Sequence, residues 1–256
     1  MMRVAQLSTT PVKGLALSHP DSVDLTGDGV DGDREFFLVT DDGRLISCTD
    51  LGDLMRHRAT YDAASRVLEV HGPDGLLRSA VAEQGAPLHT DFYGLRTVAA
   101  HVVPGWDDLF SQIGGRALRL VHGETGGYDV HGVSLLGSAS TAALAASSSV
   151  HAVDSRRFRM NVEIAGAAAH DEDTWDGREL RLGGAVVRVG GPIKRCAATT
   201  RNPDTGVVDL QTLRLIRTAR GRQETREFGF GFYFGVYADV VTPGPVHVGD
   251  EVELVG

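Results

Sequence analysis

Cys196 stands in the stretch GGPIKRCAATTRNPDTGVVD (residues 190–209), directly behind Lys194 and Arg195. Positive charge on both preceding residues favours the thiolate, the form that attacks electrophiles and binds soft metals. Just beyond it, Asn202-Pro203-Asp204-Thr205-Gly206 reads as a turn: Pro fixes one dihedral, Asp bonds its own backbone, and Gly accepts positive φ. A buried, inert cysteine at a strand end is the alternative. For the other cysteine, Cys48 in LISCTD, a small core hydrophobe is the expected role. A second concentration lies at residues 155–161, SRRFRMN, with three Arg in four positions and Asn161 closing the run. In a strand, Arg157, Arg159 and Asn161 would share one face. Guanidinium forks suit a phosphate or a planar heterocycle, and Asn adds a donor and an acceptor; a solvated or ion-paired edge is the alternative. In SLLGSAST (134–141), Ser138 and Ser140 stand at a strand-to-helix junction, where hydroxyls and free N–H groups either hold a phosphate or simply cap the helix.

Other signatures fail on context. Residues 27–32, GDGVDG, fit GxGxxG, but they lead into the strand REFFLV instead of a helix, and their two Asp repel phosphate, so no NAD-binding motif remains. Asp24, Asp28, Asp31 and Asp33 lack EF-hand spacing and read as a solvated acidic turn. The His residues are scattered without HExxH, and neither a Cys-x₂-Cys pair nor GxSxG occurs, so zinc and serine-hydrolase chemistry have no support.

The elements that must position these groups are mostly short strands. Residues 3–9 alternate as a strand, 22–48 read as a β-meander with an Asp-Gly turn, 58–75 as a hairpin and 92–103 as a strand. Short helices are expected at 49–57, with Thr49 or Asp50 as cap, at 106–113 and at 211–220. In the second half, strands are expected at RALRLVHG, at SLL, on both sides of the Gly183-Gly184 turn and at FGFGFYFGVYADVV. VHVGDEVELV closes the chain as a hairpin. Such spacing predicts a mainly β (α+β), barrel-like architecture with a few short helices. The division expected is 1–97 and 98–256, with the seam within 97–116; 256 residues can bury two cores. No run of about 20 apolar residues is present, so no membrane span is expected. The N-terminus lacks an apolar leader, and two cysteines 148 positions apart make no disulfide scaffold, so a cytoplasmic location is expected. A net charge of −9 argues against nucleic acid as a partner. Of the 25 basic residues only Lys13 and Lys194 are lysine, which suggests positions where a compact ammonium is needed.

GGPIKRCAATTRNPDTG, with the tail TPGPVHVGDEVELV, resembles the C-terminal motif of the MOSC domain family, molybdenum-cofactor proteins of the amidoxime-reducing type. TPVKG, DGDREFFLV, LLGSAST, RFRMN and FGVYADVVTPGPVHVGD are similar to further blocks of that family, in its order, and together they run from residue 4 to 255. The resemblance implies a β-barrel MOSC domain behind an N-terminal β-barrel-like domain. It implies a molybdenum–pyranopterin cofactor with Cys196 as metal ligand and catalytic residue. The cofactor contacts it implies are Lys13, Gly14, Arg34, Ser138, Ser140, Arg159, Asn161, Lys194, Arg195 and Tyr237. The reaction implied is two-electron reduction of a small N-hydroxylated compound (amidoxime, hydroxylamine or N-hydroxylated base). Two cysteines cannot hold an iron–sulfur cluster, which takes four, so a separate flavin, iron–sulfur or haem protein is expected as electron donor. Arg214, Arg217, Arg220, Arg222 and Arg226 form a strip that either docks an acidic donor or is a solvated face. A non-catalytic carrier of the cofactor and a Cys196 persulfide sulfur-transfer protein are the rival functions.

Overall fold

The computed structural model describes residues 1–148, 150–226 and 228–255. The chain begins with β1 (Met2–Leu7), β2 (Ser22–Thr26), β3 (Gly29–Val30), β4 (Phe36–Val39) and β5 (Leu45–Ile46). A 3-10 turn at Gly52–Arg56 leads to β6 (Arg58–Asp62), β7 (Val67–Gly72), β8 (Gly75–Val81), β9 (Pro87–Phe92) and β10 (Arg96–Val102). Helix α1 (Asp107–Gly114) and β11 (Arg119–Gly123) follow, then β12 (Val133–Gly137), which runs directly into α2 (Ser138–Ala146). Next come β13 (Val162–Ala165), β14 (Glu179–Leu182), β15 (Ala185–Lys194) and α3 (Thr212–Arg220). The chain finishes with β16 (Gln223–Thr225), β17 (Gly229–Gly231), β18 (Tyr233–Thr242), β19 (Gly244–His247) and β20 (Glu251–Val255).

Seven strands close a barrel in the order β1-β13-β12-β18-β15-β14-β20. Closure removes the sheet edges, and the inward positions (Val4, Leu7, Leu135, Val162, Ile164, Leu180, Val187, Val236) fill its core. β12 and β13 are parallel, so their connection must cross over, and α2 lies in that connection. All five residues of β12 are buried, as expected for a strand covered on both faces. The other core lies among β5-β4-β11-β10-β9 and β6-β7-β8, and is filled by Val12, Leu15, Phe36, Leu38, Leu68, Val70, Trp106 and Phe110. β1, although N-terminal, belongs to the closed barrel, and residue 97 falls inside β10.

Helices α1 and α3 stand where the periodicity places them, and Gly115 ends α1 in the left-handed conformation. Three local expectations are corrected. Residues 22–48 are no meander: β2 pairs with β3 and with β19, whereas β4 and β5 join β11 in another sheet. The closing segment is no hairpin either, because β19 pairs with β2 and β20 with β14 and β1. Residues 49–57 form only the 3-10 turn; Leu51 takes the cap position, and the Asp50 carboxylate accepts from the Ser47 N–H instead (3.1 Å).

The turn after Cys196 is built as its residues suggest. Asn202 Oδ1 accepts from the N–H groups of Asp204 (2.9 Å) and Thr205 (3.1 Å), and Gly206 has φ +69°. A methyl group on Gly206 would fall inside the van der Waals shell of the Gly52 carbonyl, and one on Gly52 inside that of the Gly206 carbonyl. Arg201 bridges the same contact, donating to Gly206 O (2.9 Å) and Thr49 O (3.0 Å). Backbone-to-backbone contact thus seats the Cys196 segment on the N-terminal half. Gly206→Ala is expected to cost about 2 kcal/mol or more of stability in urea unfolding, from strain plus overlap. Gly177→Ala, with φ +75° but open space around it, should cost only about 1 kcal/mol.

Candidate functional site

A cavity of about 710 Å³ opens between the barrel and the N-terminal half, and its wall is drawn from both. That volume is in the range of small-molecule and cofactor sites. Cys196 lies where β15 gives way to the 3-10 turn Ala197–Thr200; its backbone is extended (φ −113°, ψ 179°), and its carbonyl accepts from Thr199 Oγ1 (3.0 Å). The thiol is exposed on the cavity wall, with Thr49 Oγ1 3.7 Å from Sγ. Cys48 lines the same cavity but is buried against Met55 and Ala198.

The flanking cations serve different ends. Lys194 Nζ donates to Phe228 O (2.8 Å), which fixes the β16–β17 loop at the cavity wall. Arg195 turns inward over the Phe158 ring and donates to Phe158 O, while its buried Nε has no protein partner. Burial lowers the Arg195 pKa, and Cys196, Tyr237 and Asp129 oppose that shift.

From the N-terminal half, Lys13 Nζ donates to Gly127 O (2.8 Å) and Asp129 Oδ1 (2.6 Å), and lies over the Phe92 ring. Burial alone would raise the Asp129 carboxyl, but Lys13, Arg34 and Arg195 hold it below the usual carboxylate range. Asp129 remains 43% exposed because it opens onto the cavity. Gly14 (φ +94°) passes so close to Cys48 that a Cβ there would lie 3.0 Å from the Cys48 nitrogen. Arg34 pairs with Asp33 and donates from Nη2 to Arg159 O (2.8 Å). Arg159 donates to Leu15 O (2.7 Å); burial lowers its pKa, and Cys48 is foremost among the groups opposing that shift. Five non-glycine residues have positive φ among the described residues, and three of them (Arg34, Tyr93, Arg159) line this cavity. Strain of this kind gathers at functional sites.

Asn161 lines the cavity with its amide fully engaged: Nδ2 donates to Asp33 Oδ2 (2.8 Å) and Ser8 O (3.3 Å), and Oδ1 accepts from Ser134 Oγ (2.8 Å). Tyr237, on β18, completes this wall, and burial raises its phenol. Ser138 and Ser140 are not brought to the cavity. Ser138 lines a separate depression beside α2, and buried Ser140 donates to Glu172 Oε2 (2.8 Å) and accepts from the His170 N–H (2.8 Å). Neither caps α2; Gly137 takes that position. Residues 155–161 are a 3-10 turn followed by left-handed Arg159 rather than a strand, and Arg157 is ion-paired with Asp209 (2.7 Å). Thr49, expected only as a helix cap, also lines the cavity, together with Tyr93, Asp129 and His131, to which the sequence assigns no role; the last two stand in the Gly-rich loop 124–132. Asp33, read as part of a solvated turn, is buried, unlike Asp24, Asp28 and Asp31.

Among the described residues no group of three or more His, Cys, Asp or Glu could hold a metal ion. Of the two thiols on the cavity only that of Cys196 is exposed, so a soft metal held there would draw its remaining ligands from a cofactor. The wall suits such a group if it is anionic: Arg34, Arg159 and Arg195 converge on it, and Arg195 Nε lacks a protein acceptor. In the basic strip, Arg214, Arg217, Arg222 and Arg226 are exposed, but Arg220 is buried against Asp173 and His170. Among the described residues no helix is long and apolar enough to cross a membrane.

Residues 122–253 match the MOSC domain and residues 1–97 the MOSC N-terminal beta barrel domain. The human mitochondrial amidoxime-reducing component 1 is 36% identical over 108 residues, covering 41% of this chain and 31% of that protein. Human mitochondrial amidoxime reducing component 2 is 38% identical over 99 residues, covering 37% and 29%. The matched part thus spans less than a third of either relative. Among solved structures, the YuaD protein of Bacillus subtilis aligns over 99% of this chain and 96% of its own at 14% identity, with a TM-score of 0.49.

Proposed function

The chain belongs to the MOSC domain family, and from that premise we propose that it is a molybdenum-cofactor-dependent reductase of small N-hydroxylated compounds, supplied with electrons by a separate redox protein. The observation that carries this reading is the exposed Cys196 thiol on a cavity wall that converging guanidinium groups make cationic, with no other set of metal ligands among the described residues.

The cofactor, when bound, supplies the two-electron redox chemistry. Cys196 holds the metal as thiolate. Arg34, Arg159 and Arg195 hold the phosphate-bearing pterin by charge-assisted hydrogen bonds, and Lys13 and Asp129 fix the loop beside it. Gly14 lets the backbone come close, and Asn161 positions Arg34 through Asp33. Exposed Tyr93 and Leu95, with Phe228, give the same cavity an apolar rim that accepts the non-reacting part of a substrate.

Holoprotein given a reduced viologen as chemical donor is expected to convert an aryl amidoxime to the amidine. Fully loaded protein that never turns over would favour the carrier function instead, and a persulfide on Cys196 in metal-free protein would favour sulfur transfer. With a protein donor, docking at the exposed Arg214 and Arg217 predicts turnover that slows with added salt and in Arg214→Ala/Arg217→Ala. Viologen-driven turnover should stay unchanged in that variant.

A further inference from the structure

Reduction of an N–OH group needs protons as well as electrons: R–NH–OH, two electrons and two protons give R–NH₂ and water as the N–O bond breaks. The electrons are those of the cofactor in the reading above. A group on the wall that can carry a proton to the leaving oxygen is therefore needed. The wall's guanidinium groups do not release their protons at neutral pH. Burial raises the Tyr237 phenol, and desolvation raises that of Tyr93, whose ring is exposed but whose hydroxyl turns inward to donate to Ser47 Oγ (3.3 Å). Asp129 is held ionised by Lys13, whose Nζ is engaged with it and with Gly127 O, and Lys194 Nζ donates to Phe228 O. One imidazole remains on the wall, that of His131.

His131 is built in, not merely present. Its Nδ1 lies 2.8 Å from Asp239 Oδ1 on β18, which fixes the ring and leaves Nε2 as the exchanging nitrogen. Nε2 has no hydrogen-bond partner among the described residues, and the residue opens onto the cavity. The ring packs on Tyr237 (centroids 5.3 Å apart), whose phenol lies within electrostatic reach of Cys196. On its far side is Gly190 of β15, where a Cβ would crowd the ring at 3.2 Å. The groups against the imidazole are thus Asp239 and Tyr237 from β18 and uncharged Gly190 from β15; Asp129, upstream on the same loop, is paired with Lys13.

We propose that His131 is the proton donor of this site, delivering a proton through Nε2 to the leaving oxygen, with Asp239 as its positioning residue. The proposal rests on the reductase reading.

The test compares holo wild type, His131→Gln and Asp239→Asn with viologen as donor and an aryl amidoxime as substrate. His131→Gln is expected to keep its molybdenum, lose roughly 100-fold in kcat, and recover partly with added imidazole. Without cofactor, ¹⁵N NMR should show the Nδ1–H tautomer of His131 in wild type and its loss of dominance in Asp239→Asn. Loaded His131→Gln with wild-type kcat, or with a lowered kcat that imidazole does not raise, overturns the proton-donor role while leaving the reductase reading intact. An unchanged tautomer in Asp239→Asn overturns the positioning role. Loaded wild type that does not turn over at any pH overturns the reductase reading itself.

Discussion

Cys196→Ala is expected to be isolated without molybdenum and without N-hydroxy reductase activity, yet to unfold within about 0.5 kcal/mol of wild type. The stability half follows from exposure. The thiol makes one weak contact, to Thr49 Oγ1 at 3.7 Å, and the segment's conformation is held by the Thr199 N–H and hydroxyl, both donating to Cys196 O, and by the Gly52–Gly206 contact. Surface substitutions away from such features cost little. The activity half follows from the ligand supply: Cys48 is buried in an apolar cluster with Met55 and Ala198, and no group of three or more His, Cys, Asp or Glu among the described residues could hold a metal, so nothing else replaces Cys196. Metal polarisation is worth several kcal/mol, so the loss should be about a thousandfold or more. Cys196→Ser should fail equally, since a hydroxyl is a poor ligand for a soft metal. Cys48→Ala separates the two thiols: it lies in a small apolar cluster with Met55 and Ala198, so that variant should lose about 1 kcal/mol of stability and keep its metal. Elemental analysis with fluorescence of the oxidised pterin reads the first effect, and urea unfolding the second. Molybdenum at wild-type stoichiometry in Cys196→Ala would remove the ligand assignment.

What the chain disclosed about itself divides along physical lines. Periodicity is local, so β7, β10, β15, α1 and α3 were legible from residues that touch one another in sequence. Pairing is not local. β19 finds β2 across more than 200 residues, and no alternation within either strand says so. The same limit explains the site. Ser138 and Ser140 stand at the start of a helix, a fair anion site in isolation, but Glu172 folds back and occupies Ser140. Arg157, Arg159 and Asn161 were assigned to one strand face. They reach one cavity through a 3-10 turn and a left-handed residue, and each is held by a partner remote in sequence: Asp209, Leu15 and Asp33. Residue types can suggest a chemistry; the partners that decide which donors stay free are set only by the folded chain.

Asp33→Ala is expected to be the most damaging single substitution to stability, at about 3–5 kcal/mol, and to take the cofactor with it. Its side chain is 3% exposed, accepts from Thr10 N (2.8 Å) and Asn161 Nδ2 (2.8 Å), and pairs with Arg34. Removing it leaves a nearly buried guanidinium without a counter-charge and two buried donors without acceptors; breaking a buried pair from one side costs that much because the other charge remains. Asp33→Asn keeps an acceptor but turns an N–H toward donors, so an intermediate loss of about 2 kcal/mol is expected. Damage should then spread to the cavity, since Arg34 anchors Arg159 O and Asn161 bridges Ser8 to Ser134. The signature differs from that of Cys196→Ala: both variants lose molybdenum, but only Asp33→Ala loses its urea midpoint at constant m-value. Arg34→Met added to Asp33→Ala removes the orphaned charge, so the double variant should be more stable than Asp33→Ala alone, yet still poor in cofactor because Arg34 is gone. A double variant no more stable than Asp33→Ala would place the cost in the Thr10 and Asn161 donors instead of the buried charge.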